Sequence, residues 1–213
     1  ERPVDKTVGA LLGAIGCADA AQVERLLRGN YEKQGMRMFV LETVVPLLQT
    51  VGELWISGKL QIFQEHFLSE QLIRFLNTEI ASMQKGAGKP RVLLATLPGE
   101  EHTLGLLMLA AMLSSTGVSV INLGGEVPMD QIDQAARQFQ VEAVGITFSG
   151  AYPYQNIRQH LLELREHIPD DIVIWTGGEG VRRLRKLPGG ITKFTSLEQL
   201  PVLQAASNAP ARM

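Results

Sequence analysis

The sequence predicts an α/β protein in two parts: a four-helix bundle over residues 1–85, then a doubly wound parallel-sheet domain over 91–208. Three observations carry this. Apolar residues recur at helical spacing from Val4 to about Lys85. Gly86-Ala87-Gly88-Lys89-Pro90 has the composition of a linker, spanning 86–90. Beyond it, short continuously apolar runs alternate with helical ones, the pattern of parallel strands covered on both faces.

In the first part, Val8, Leu11, Leu12 and Ile15 share one helical face, and Asp19 is placed to cap the next helix. Val23, Leu26 and Leu27 belong to that second helix, which Gln34-Gly35 should end. A third helix runs from Met36 towards Ser57, with Pro46 predicting a kink or break. A fourth runs from about Gln61 to Met83. Its positions 62, 66, 69, 73, 76, 80 and 83 align, so His66 is expected on the apolar side with Ile62 and Ile73. Short connections between four such helices suggest a bundle.

In the second part the expected strands are Val92–Leu97, Val118–Leu123, Ala143–Phe148, Ile172–Thr176 and Ile191–Thr195. Helices are expected at Leu106–Ser115, Met129–Phe139, Tyr154–His167, Val181–Leu187 and Ser196–Ala206. Trp175 reads as core, His160 and His167 as surface, and Cys17 as a small buried hydrophobe.

Composition narrows the function classes. Hydrophobic residues make up 45% of the 213, enough for a real core. A net charge of −2, from 20 basic and 22 acidic residues, creates no field that attracts nucleic acid by itself. The basic run Arg182-Arg183-Leu184-Arg185-Lys186 reads as a solvated helix face. One cysteine excludes an internal disulfide and suits a reducing, cytoplasmic setting. No apolar stretch is expected to reach the roughly 18 residues of a membrane span. The start at Glu1-Arg2-Pro3, without a methionine, suggests a piece of a longer polypeptide.

Four features fall at strand C-termini. His102 follows the first strand, Gly124-Gly125 the second, Thr147 and Ser149 close the third, and Gly177-Gly178 follow the fourth. Open α/β sheets bind ligands at that edge. Glycines admit close approach to backbone, hydroxyls supply donors and acceptors, and an imidazole can bind a metal or cofactor. Each feature alone is ordinary turn chemistry; their common register is not. Gly-x-Gly-x-x-Gly and Gly-Lys-Ser/Thr phosphate loops are absent, and no Ser-His-Asp set is evident. Glu100, Glu101 and His102 lack further partners for a protein-only metal site.

Glu100-Glu101-His102-Thr103-Leu104-Gly105 resembles the Asp/Glu-x-His-x-x-Gly motif of cobalamin-binding domains. In that family a Ser-x-Leu and a Gly-Gly follow. Thr147-Phe148-Ser149 stands after 41 intervening residues, and Gly177-Gly178 after 27 more. Thr147 keeps the hydroxyl of the motif, whereas Ser149 replaces its leucine and loses an apolar contact. The resemblance implies a flavodoxin-like fold with His102 as lower axial ligand to cobalt. The nucleotide tail would then pass Thr147 and Gly177-Gly178. Glu100 would fix the tautomer of His102.

Trp55, nine residues, then Glu65-His66 resembles an element of light-sensing, cobalamin-dependent regulators of the MerR type, the CarH/LitR-like photoreceptors. The resemblance implies adenosylcobalamin as chromophore. Trp55 would pack on the adenosyl group and Glu65 would bond it. After photolysis His66 would take the vacated upper position, making it the second metal ligand. It further implies a non-enzymatic sensor region, a tetramer in the dark, and DNA contact through a preceding domain, with no membrane involved. Two alternatives stand beside it: a corrinoid carrier subunit of a methyltransferase, and a degenerate domain that serves only protein contacts. The upper-face element Trp55…Glu65-His66 argues against the carrier, because a side chain poised there would obstruct methyl transfer.

Overall fold

A computed structural model describes residues 6–84 and 90–199. The chain divides into two compact units between Ala81 and Ser82. The expected linker residues 86–89 lie outside the described residues, as does most of the expected final helix beyond residue 199.

The first unit is helical. Helix α1 spans Lys6–Gly16, α2 Ala20–Phe39, α3 Val45–Ile56 and α4 Ile62–Met83. Asp19 does cap α2, accepting from Gln22 N at 2.9 Å. Gly35 leaves helical geometry at φ 71°, so the helix is interrupted where glycine allows it. The break expected near Pro46 takes the form of a π-helical turn over Val40–Val44, after which Pro46 occupies the first turn of α3. Tyr31, Phe39 and Phe75 form the aromatic centre, with ring centroids 5.4 to 6.0 Å apart.

Three expectations for this unit are corrected. The buried stripe of α4 is Leu68, Gln71, Leu72, Phe75, Leu76 and Glu79, not the face bearing His66. Contact of Phe75 with Tyr31 and Phe39 sets the helix rotation, and the first turn of α4 extends past that core. Cys17 is exposed, because it lies in the turn after Ile15, the last buried residue of α1. The helical run Ala20–Ile56 is, by length and composition alone, long and apolar enough to cross a membrane. It nonetheless buries Val23, Leu27, Phe39, Val44, Leu47 and Val51 and is interrupted at Gly35.

The second unit is a five-stranded parallel sheet, β1 Arg91–Ala95, β2 Ser119–Gly124, β3 Ala143–Thr147, β4 Val173–Gly177 and β5 Ile191–Lys193, in the order β2-β1-β3-β4-β5. That is the flavodoxin-like order, with its switch point between β1 and β3. Helices α5 (Leu104–Ser114), α6 (Met129–Gln138) and α7 (Tyr154–His167) make the crossovers. One sheet face packs Leu93, Val144, Ile146 and Ile174 against Ile132 of α6 and Ile157 and Leu161 of α7. On the other, β3 narrows to Gly145, where a Cβ would stand 2.5 Å from Leu94 Cδ2 and 3.6 Å from Leu109 Cδ2 of α5. Trp175 is core as expected.

The helix expected at Val181–Leu187 is absent. A 3₁₀ turn at Glu179–Val181 is followed by irregular chain, and Pro188 bars extension. Gly180 packs tightly there, since a Cβ would stand 2.6 Å from the Ser149 carbonyl. The basic run therefore lies on irregular chain, not on a helix face. His160 is half-buried and bonded to Tyr152 at 2.6 Å, so it is not a simple surface residue; His167 is exposed.

Candidate functional site

At the switch point, the loop after β1 turns its crest at Pro98-Gly99 and plunges Glu100 into the protein. Glu100 is 1% exposed, whereas the His102 side chain is 65% exposed. One carboxylate oxygen, Oε1, accepts from His102 N at 2.9 Å and lies 2.8 Å from His102 Nδ1. The other, Oε2, accepts from Ser149 N at 2.6 Å. Ser149 Oγ lies 3.3 Å from His102 Nδ1. Burial alone would favour the neutral acid, but the bonds from Ser149 and His102 outweigh it and hold Glu100 below its ordinary range. In the neutral ring, an ionised Glu100 makes Nδ1 the protonated nitrogen and leaves Nε2 with its lone pair. That is the tautomer a metal-binding imidazole needs.

Thr96, fully buried, ties this loop to the next. Its Oγ1 donates to the Glu100 carbonyl at 2.5 Å and accepts from Glu126 N at 2.9 Å. Thr96 is not among the residues that the sequence motifs single out, although a threonine one residue beyond a buried strand end is its signal.

Gly105 stands in the first turn of α5, and an added Cβ would meet nothing within 4 Å among the described residues. Its lack of a side chain is thus unexplained by internal packing and leaves open space beside the His102 loop. Thr147 ends β3 with its Oγ1 buried and without a hydrogen-bond partner among the described residues. An orphaned hydroxyl of this kind costs about 1–3 kcal/mol unless something pairs with it. Gly178 has a more internal reason. Its φ is 96°, and a Cβ would collide with the Phe148 carbonyl. Gly177 accepts from Phe148 N at 3.0 Å. The structure therefore brings Glu100, His102, Thr147, Ser149, Gly177 and Gly178 to one edge of the sheet, with Gly105 close in sequence.

The other expected site residues belong to the helical unit. Trp55, in the last turn of α3, is 53% exposed. Glu65 and His66 lie in the first turns of α4; His66 is 72% exposed, with Nδ1 2.9 Å from Glu65 Oε2. Ser69 Oγ donates to Glu65 Oε1 at 2.6 Å. Ile56, Ile62 and Phe63 are also exposed nearby in sequence, an unusual density of bare apolar side chains. Among the described residues no group of three or more His, Cys, Asp or Glu side chains could hold a metal ion.

Residues 9–78 and 90–189 each match a family model described as a B12 binding domain. The chain belongs to the B12-binding family, as a CarH-like cobalamin-binding region. This B12-binding chain is 33% identical over 141 residues to the HTH-type transcriptional repressor CarH of Myxococcus xanthus, a match covering 66% of the chain and 47% of that protein. It is 26% identical over 170 residues to the repressor CarA of the same organism, covering 79% of the chain and 57% of CarA. Methionine synthase of Mycobacterium tuberculosis matches at 29% over 103 residues, 47% of the chain and 9% of that enzyme. The chain thus spans about half the length of CarH and CarA. The monomethylamine corrinoid protein of Methanosarcina barkeri shares the fold, with a TM-score of 0.63, 17% identity and coverage of 81% and 84%.

Proposed function

We propose that this chain is the cobalamin-binding sensor of a light-dependent transcriptional regulator, with adenosylcobalamin as its chromophore. The observation that carries the reading is the clamp on His102: a buried, ionised Glu100 holds Nδ1 and leaves the outer nitrogen bare on an exposed ring. An imidazole aimed in this way suits a cobalt corrinoid and needs no second protein ligand on the same face. Thr147 Oγ1 would receive a polar group of the nucleotide tail, and the bare backbone at Gly105 leaves room for a bulky partner. When bound, adenosylcobalamin supplies a cobalt–carbon bond that light can break.

In the helical unit, Trp55 would shield the adenosyl group and Glu65 would hydrogen-bond it. His66, exposed beside Glu65, would be a second imidazole able to hold the cofactor's metal. Loss of the adenosyl group would then shift a population of helical arrangements. DNA binding would reside in a preceding domain, with a dark tetramer as the repressing form. The role is regulatory rather than enzymatic, in the cytoplasm.

The test is a spectrum. Mixed with adenosylcobalamin in the dark, the chain should give a base-off, histidine-bound spectrum that changes on illumination. A spectrum identical to the free cofactor would refute the proposal. His66→Ala should bind normally in the dark yet fail to reach a stable two-histidine product in light. A normal photoproduct would remove His66 from the mechanism.

A further inference from the structure

We propose that Tyr152, braced by His160, is a positioning residue that aims His102 by holding the Pro98 carbonyl at the crest of its loop. The inference rests on His102 being the cobalt ligand.

The loop from Thr96 to Thr103 is anchored unevenly. Its inner half is held by Thr96 Oγ1 on the Glu100 carbonyl and by Ser149 N on the Glu100 carboxylate. Its crest is exposed at Pro98 and Gly99, with Gly99 at φ 84°. The crest has two side-chain contacts among the described residues. One is from Gly99 N to the carboxylate of Glu126, at 3.3 Å and exposed. The other comes from beneath, where Tyr152 Oη donates to Pro98 O at 3.2 Å.

Tyr152 is placed for this. It is 5% exposed and packs on Phe148 at a centroid distance of 4.9 Å. Its Cε2 stands 3.7 Å from where a Gly99 Cβ would be, so the ring fills the space under the crest. His160, in the second turn of α7, brings Nδ1 to 2.6 Å from the same hydroxyl.

Proton counting gives the pair a direction. A phenol has one proton to donate. If it goes to Pro98 O, His160 Nδ1 must carry its own proton and donate to Tyr152 Oη. If Nδ1 is bare, it takes the phenol proton and Pro98 O is released. Both bonds stand together only when His160 donates. The rigid helix α7 is then linked through His160 and Tyr152 to the backbone four residues before His102. The hydrogen bonds of Tyr152 go to Pro98 O and His160, so its hold on His102 runs through the loop.

Cob(II)alamin bound to the chain made with [15N]histidine reports the axial nitrogen directly. An electron paramagnetic resonance doublet marks histidine nitrogen on cobalt, and a triplet marks the cofactor's own base. The wild-type chain should give the doublet. Tyr152→Phe keeps the ring and removes the hydroxyl; its ratio of histidine-bound to unbound cobalt should fall about tenfold, the scale of one hydrogen bond. His160→Ala leaves the phenol proton for Pro98 O but removes the brace on the ring, so it should lower the ratio by less than Tyr152→Phe does, and His160→Gln, whose amide can donate, should restore it. The His160 pair leaves the tyrosine in place and carries the test should Tyr152→Phe fold poorly. A wild-type chain without the doublet refutes His102 as ligand, a separate failure. A wild-type doublet left unchanged by Tyr152→Phe and His160→Ala, even with a lowered melting temperature, overturns this inference and makes the pair a structural staple only.

Discussion

Two histidines in this molecule sit beside a carboxylate at almost the same distance, 2.8 Å at His102 and 2.9 Å at His66, yet their settings are opposite. Glu100 is 1% exposed and also accepts from two backbone amides, one of them 49 residues away on the loop after β3. Glu65 is the helical neighbour of His66, has a side chain 35% exposed, and is otherwise met by Ser69 one turn on. The first carboxylate is locked by tertiary contacts before any ligand arrives. The second is held by local contacts that water can replace. One ring is pre-aimed; the other can move at little cost. Under the proposed function, that contrast suits His102 as a standing ligand and His66 as a conditional one.

The strongest way to break the comparison is Glu100→Ala. It leaves Ser149 N and His102 N without their acceptor and frees the ring. Cobalamin affinity should fall about 10–100-fold, the usual effect of losing a partner behind a metal-binding histidine. Stability should fall by about 1.5–3 kcal/mol, the scale of a hydrogen bond to a charged group. Spectral titration and urea unfolding measure the two; unaltered affinity would mean the clamp has no part in binding.

Acid pH sharpens the same point. Hydrogen bonds hold the Glu100 carboxyl below its ordinary value of 4.5 despite burial. In that window the unfolded chain binds more protons than the folded one, so stability rises with pH. The contribution is complete above the ordinary value and is lost as pH falls through the lowered one. Urea midpoints measured stepwise below about pH 5 should fall less steeply in Glu100→Gln than in the wild-type chain. Parallel slopes would show that folding does not shift the Glu100 carboxyl, and steeper ones in Glu100→Gln would show that it is held neutral in the folded state.

The smallest effect is expected at the exposed pair. Glu65→Gln should change stability by less than about 1 kcal/mol, as for surface ion pairs generally. A loss matching that of Glu100→Ala would erase the distinction between the two sites.

Much of this was legible in the residues. The strand runs, the Asp19 cap, the interruption at Gly35 and the placement of His102 after β1 all follow from local pattern. The register of Thr147 and Gly177-Gly178 behind the first motif pointed to the family that both B12 binding models match. The failures share a cause. The rotation of α4 is not legible in its stripe, because a periodic stripe does not say which neighbour it meets; the Tyr31–Phe39–Phe75 contact sets it. The helix expected at Val181–Leu187 gave way to glycines packed under Phe148 and Ser149. The roles of Thr96 and Tyr152 depend on partners, Glu126 and His160, that are identified only by folding.

The order of residues by itself determined the element types and the edge of the sheet at which chemistry gathers, because helical and strand periods and glycine placement are local properties. Only the tertiary structure decided which imidazole is held and which is loose. Burial of a carboxylate, and the hydrogen bonds that keep it charged there, depend on segments brought together from 49 residues apart, and no local pattern encodes that meeting.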